Sequence, residues 1–86
     1  MTELRAIKLK RLYYQSWYRG CKEMDIFLGA FAEKFLPGFS DEELALYEKF
    51  LNEGDQDIYD WITGKQELPA FHDNSVARAL ISFTPA

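Results

Sequence analysis

The chain has 86 residues, of which 48% are hydrophobic, 16% aromatic and 28% charged, and a formal net charge of −4. At that length it is one small domain that buries roughly 60–65% of its unfolded surface, so large aromatic side chains must supply much of the core. One cysteine excludes an internal disulfide, one Cys and one His exclude a zinc site built from those residues, and no apolar run nears the ~20 residues that cross a bilayer.

Apolar residues recur at helical spacing almost throughout. Leu4, Ile7 and Leu12, with Tyr13 and Tyr14, predict a first helix over about residues 3–15. Met24, Phe27, Leu28, Phe31 and Phe35 follow an i, i+3, i+4, i+7 pattern and predict a second over about 20–35, stopped by Leu36-Pro37-Gly38. Ser40-Asp41-Glu42-Glu43 is a capping box in sequence, and Leu44, Tyr47, Phe50 and Leu51 form the inward stripe of the third helix. Asp55 or Gln56 opens a short fourth helix with Ile58, Trp61 and Ile62 inward and Gly64 at its end. Lys65 to Phe71 is expected as a loop. Asp73 or Asn74 caps a fifth helix with Val76, Leu80 and Phe83 on one stripe, and Pro85 follows it. No stretch alternates with period two. The expected fold is all-α, a compact array of about five short helices forming one domain over residues 1–86.

Charge is divided unevenly along this array. Residues 1–22 hold Arg5, Lys8, Lys10, Arg11, Arg19 and Lys22 against the single acid Glu3, whereas the rest hold four cations and thirteen acids. A basic end of this kind can steer an acidic partner, protein or nucleic acid. Cations interleaved with Tyr13, Tyr14, Trp17 and Tyr18 leave a nucleic-acid-binding module on the first helix as an alternative reading. An isoelectric point near 4.9 opposes it, and the aromatics are expected to pack between helices instead.

The densest chemistry lies in WYRGCKEMD, residues 17–25. Gly20 permits a tight corner between the first two helices. Glu23 and Asp25 fall in the first turns of the second helix and complement its positive end. Arg19 and Glu23, four apart, pair if the helix includes Arg19. With Met24, Phe27 and Phe31 inward, Glu23 points outward beside a residue with no side chain. Cys21, near Arg19 and Lys22, has cations that could activate a thiol, but the lone His72 is far along the chain in no catalytic pattern. Cys21 is expected as a small, partly buried residue. No catalytic set, phosphate loop or calcium loop is present, and the acids from Asp55 to Asp60 lack the glycine and closing glutamate of the last.

Arg19-Gly20-Cys21-Lys22-Glu23-Met24-Asp25 resembles the RGxxExD motif of the succinate dehydrogenase assembly factors, also called flavinators. Asp55, Asp57, Ile58 and Trp61 match a second segment of that family, DxDLxxW. The resemblance runs from the basic first helix through the SDEE start of the third. Tyr18 and Met24 depart from it, standing where an Arg and a Leu are usual. The resemblance implies a helical domain that is not an enzyme, binds no cofactor of its own, and docks on the flavoprotein subunit of succinate dehydrogenase, in bacteria also that of fumarate reductase. There it promotes covalent attachment of FAD, which is handled on the client. Arg19, Gly20, Glu23 and Asp25 are the implied partner-binding residues, with Arg11, Tyr18 and Lys22 as supporting surface, and neither catalytic nor metal-binding residues are expected. The N-terminus MTELRAIKLKRLYY has neither a signal-peptide core nor the Ser richness of a transit peptide, and the expected location is a bacterial cytoplasm.

Overall fold

The computed structural model describes residues 4–84. It contains five helices, α1 (Arg5–Trp17), α2 (Lys22–Phe35), α3 (Asp41–Leu51), α4 (Asp55–Thr63) and α5 (Ser75–Ser82), and no strand among the described residues. Two 3₁₀ turns, Leu36–Gly38 and Ala70–His72, tighten the links after α2 and before α5.

Local chemistry sets most of the ends. Ser40 Oγ accepts from the Glu43 N–H at 3.2 Å while Glu43 Oε1 accepts from the Ser40 N–H at 2.8 Å, so the capping box forms in both directions. Gly64, at φ 80°, closes α4 in the left-handed region, and Asn74 Oδ1 caps α5 by accepting from the Ala77 N–H. The predicted start of α2 is two residues early: Gly20 sits at φ 96°, which no helix accommodates, and the helix begins after Cys21. The helix α1 reaches Trp17, two residues beyond expectation, and the stretch expected as a loop ends in a 3₁₀ turn. The expected helix start at residue 3 and Pro85 lie outside the described residues.

The core runs through all five helices. Leu12, Leu28, Phe31, Leu44, Tyr47, Ile58 and Leu80 are each fully buried. Phe31 is its hub, stacked on Phe35 at 4.6 Å and on Tyr47 at 5.6 Å, with Phe83 edge-on at 5.5 Å. The Tyr47 hydroxyl lies 2.6 Å from Ser16 Oγ, which itself donates to the Leu12 carbonyl at 2.7 Å. Ser16 has one proton and uses it there, so Tyr47 is the donor, and this buried polar pair is satisfied.

The helices α1 and α2 pack closely over Gly29, where a Cβ would lie 2.2 Å from the Trp17 ring. Glycine is needed there for space, to seat the indole. Leu4 and Ile7, which helped predict α1, are 69% and 53% exposed, and α3 meets this end of α1 through ion pairs. Tyr14 and Tyr18 are also exposed and lean on each other, 4.7 Å apart and tilted by 32°, rather than packing between helices, whereas Tyr13 does pack on the core.

Candidate functional site

The four residues between α1 and α2 make a corner whose parts have separate duties. Gly20 turns the chain: nothing lies within 4 Å of where its Cβ would be, so the positive φ is what requires glycine. Asp25 Oδ1 accepts from the Arg19 N–H at 2.5 Å and ties the incoming strand of the corner to α2. The Arg19 side chain then leaves the corner and crosses to the turn between α3 and α4.

There Arg19 makes a clamp. Its Nε donates to Asp55 Oδ1 at 2.8 Å, Nη1 to the Leu51 carbonyl at 2.7 Å and Nη2 to the Glu53 carbonyl at 3.0 Å. Leu51 is the last residue of α3 and Asp55 the first of α4. One guanidinium thus satisfies carbonyls at the negative end of one helix and pairs with an acid at the positive end of the next. Only 13% of the side chain is exposed. The fork geometry of arginine suits three acceptors at once, and a lysine ammonium does not replace it.

Glu23 is the opposite case. It stands in the first turn of α2, exposed, and its carboxylate has no hydrogen bond or ion pair among the described residues. The pairing of Arg19 with Glu23 that the spacing permits does not form, because Arg19 lies outside the helix and Asp55 takes its charge. Lys22, exposed beside Glu23, is likewise without such a partner among the described residues. Cys21, expected partly buried, is exposed, since the extended backbone before α2 turns it away from the core. A shallow depression of about 480 Å³ runs beside Glu23 to Met24, Asp55 and Tyr59, so the two sequence motifs share one surface.

Tyr18, 69% exposed at the end of α1, lies outside this depression. Arg11 is drawn toward α3, its Nη1 2.5 Å from Glu48 Oε2. Two more cations of this helix are treated similarly, Arg5 Nη1 pairing with Asp41 at 2.8 Å and Lys8 lying 3.9 Å from Glu48, whereas Lys10 is exposed. Three of the four cations of α1 thus meet acids of α3 instead of facing solvent, which weakens the nucleic-acid reading.

A second contact secures the α3–α4 turn from within. His72, 1% exposed, has Nε2 2.6 Å from Glu53 Oε2. Phe50, Trp61 and Phe71 surround its ring at 4.6–5.5 Å. Sequence reading placed His72 in a loop with no partner. The Asn-capped start of α5 and the apolar neighbours Leu68 and Phe71 were the available hints that this segment folds inward. Among the described residues no cluster of His, Cys, Asp and Glu could hold a metal ion.

Residues 10–84 match the family described as flavinator of succinate dehydrogenase. The chain belongs to this family. It is 46% identical over 67 residues to the mitochondrial succinate dehydrogenase assembly factor 2 of Debaryomyces hansenii, which covers 78% of this chain and 47% of that protein. It is 41% identical over 73 residues to the mitochondrial assembly factor 2-B of Drosophila mojavensis, covering 83% and 46% of the two chains. The Scheffersomyces stipitis factor is 42% identical over 71 residues, covering 83% and 48%. The chain spans about half the length of the curated relatives it matches. Family membership accords with the motif resemblance and the helical fold. These relatives are each named as mitochondrial, and that overturns the expectation of a bacterial cytoplasm.

Proposed function

We propose that this chain is an assembly factor that binds the flavoprotein subunit of succinate dehydrogenase and promotes covalent attachment of FAD to it. The observation that carries the reading is the α1–α2 corner: an outward Glu23 carboxylate, unpaired among the described residues, held on a turn that Gly20, Asp25 and Arg19 make rigid. A charged group fixed in this way docks on a partner at low cost in conformational entropy. Glu23 is the contact residue, Lys22 flanks it, and Arg19, Gly20 and Asp25 hold it in place.

In this reading the chain brings no catalytic group and no cofactor of its own. FAD is handled on the client, and the factor contributes position. By holding the client's mobile parts in the geometry of attack, it raises the fraction of encounters in which the client nucleophile meets the flavin. The relatives point to the mitochondrion as its setting.

The test is Glu23→Ala at limiting factor, with covalent flavin on the client measured by in-gel fluorescence. The expected outcome is a loss of most factor-dependent flavin, about tenfold or more, with helix content unchanged and the thermal midpoint only slightly lower, because Glu23 supports the fold only through its place at the positive end of α2. Undiminished flavin attachment would remove Glu23 from the site.

A further inference from the structure

On the other side of the Arg19 clamp from Glu23 lies a second cleft, walled on one side by α1 and on the other by the α3–α4 turn. Tyr14 and Tyr18 form the first wall. They are 66% and 69% exposed, and their rings, 4.7 Å apart and tilted by 32°, lean on each other. The second wall is rich in acceptors. Asp55 uses Oδ1 on Arg19 and Glu53 uses Oε2 on His72, and the other oxygen of each has no hydrogen bond among the described residues. Exposed Asn52 lines the same cleft. At the edge of the cleft, Oε1 of half-buried Gln15 is sealed from solvent and has no hydrogen-bond partner. A buried acceptor without a donor is costly, and a small turn of this amide offers it to an occupant.

We propose that this cleft receives a basic side chain, an arginine or lysine, projecting from the client protein. The cleft is lined by two acids, Glu53 and Asp55, and one cation, Arg19, so its charge favours a cation. Aromatic faces opposite free carboxylate oxygens are the setting in which a guanidinium both stacks and donates. An anionic or purely apolar occupant leaves the free oxygens unpaired and is disfavoured. The inference rests on the reading of the chain as an assembly factor and adds to it a second contact, separated from Glu23 by the clamp.

Asn52 provides a test that leaves the clamp alone. Affinity for the purified flavoprotein subunit is measured by calorimetry for the wild type, Asn52→Lys, Asn52→Asp, Tyr14→Ala and Glu23→Ala. Asn52→Lys is expected to weaken binding about tenfold and Asn52→Asp to tighten it severalfold, opposite signs that loss of folding cannot produce. Tyr14→Ala is expected to weaken it roughly fivefold or more. If Glu23→Ala weakens binding while the Asn52 pair and Tyr14→Ala do not, the cleft is not a contact and the assembly-factor reading stands. If the wild type does not bind the subunit, that reading fails, and the cleft is judged alone by titrating arginine amide against the labelled chain. In that titration the ring resonances of Tyr14 and Tyr18 must shift more than those of exposed Phe71, and Asn52→Lys must abolish the difference. Equal shifts, or shifts indifferent to Asn52→Lys, would overturn the proposal.

Discussion

Two side chains grip the turn between α3 and α4, from opposite sides and by different means. Arg19 reaches it from the partly exposed corner and holds two carbonyls and a carboxylate with a planar fork. His72 reaches it from inside a ring of aromatics and holds the Glu53 side chain by one short contact. The outer grip couples the turn to the segment that displays Glu23. The inner one couples it to the core and to the link before α5. The same turn can thus be loosened through the proposed docking surface or through the body of the fold, and the two routes should be separable in experiment.

The largest effect is expected from Arg19→Ala. It strips two carbonyls and one acid of their donor at once, and should cost about 2–4 kcal/mol in denaturant-monitored unfolding. Factor-dependent flavin attachment should fall with it even at temperatures where the variant is folded, because the corner loses its anchor. Arg19→Lys should recover less than half of the lost stability, since an ammonium cannot serve the three acceptors together. Equal stability of Arg19→Lys and wild type would mean that charge alone, and not the fork, matters.

His72→Ala is expected to cost about 2–3 kcal/mol, from a cavity among Phe50, Trp61 and Phe71 and an unpaired Glu53 carboxylate. In contrast to Arg19→Ala, the folded fraction of His72→Ala should keep the Glu23 contact, so that Glu23→Ala weakens client binding by the same factor in its background as in the wild type. A smaller factor in that background would erase the distinction between the two grips.

Gly20→Ala isolates the corner further. A Cβ there meets no atom, so the cost is that of an L-residue at positive φ, about 1–2 kcal/mol, read as a fall in the thermal midpoint of roughly 4–16 °C. A loss of client affinity larger than that of stability would show that the backbone angle sets the direction of Glu23.

The smallest effect concerns Tyr47 in the core. Burial raises the pKa of its phenol well above the ordinary 10.0. The folded-state pKa exceeds the unfolded one, so the associated stability is complete below about pH 10 and declines as pH rises beyond it. Tyr47→Phe should lower stability modestly at neutral pH, about 1 kcal/mol for the lost bond to Ser16, and flatten the alkaline decline in a pH series of unfolding curves. An unchanged alkaline slope would assign that decline to other groups.

Much of the fold was legible because its signals are local. The stripe Met24–Leu28–Phe31, the capping box at Ser40 and the glycine after α4 each act within a few residues, and each appears in the structure where it was expected. The outward direction of Glu23 followed from the same stripe. Gly29 was not legible, because its reason is the Trp17 ring of another helix. Tyr14 and Tyr18 were misread for a related reason: helical spacing shows which residues share a face, and not whether another helix covers it.

By itself the sequence determined the five helices, the inward stripes and the family, since periodicity, caps and motif order are properties of neighbouring residues. Only the tertiary structure decided what the motif does in the fold. Arg19 and Asp55 are 36 positions apart and His72 and Glu53 are 19 apart, and no local pattern pairs them. Their meeting depends on how α3 and α4 pack against the α1–α2 corner. That packing turns Arg19 into the anchor of the corner and leaves Glu23 as its exposed charge.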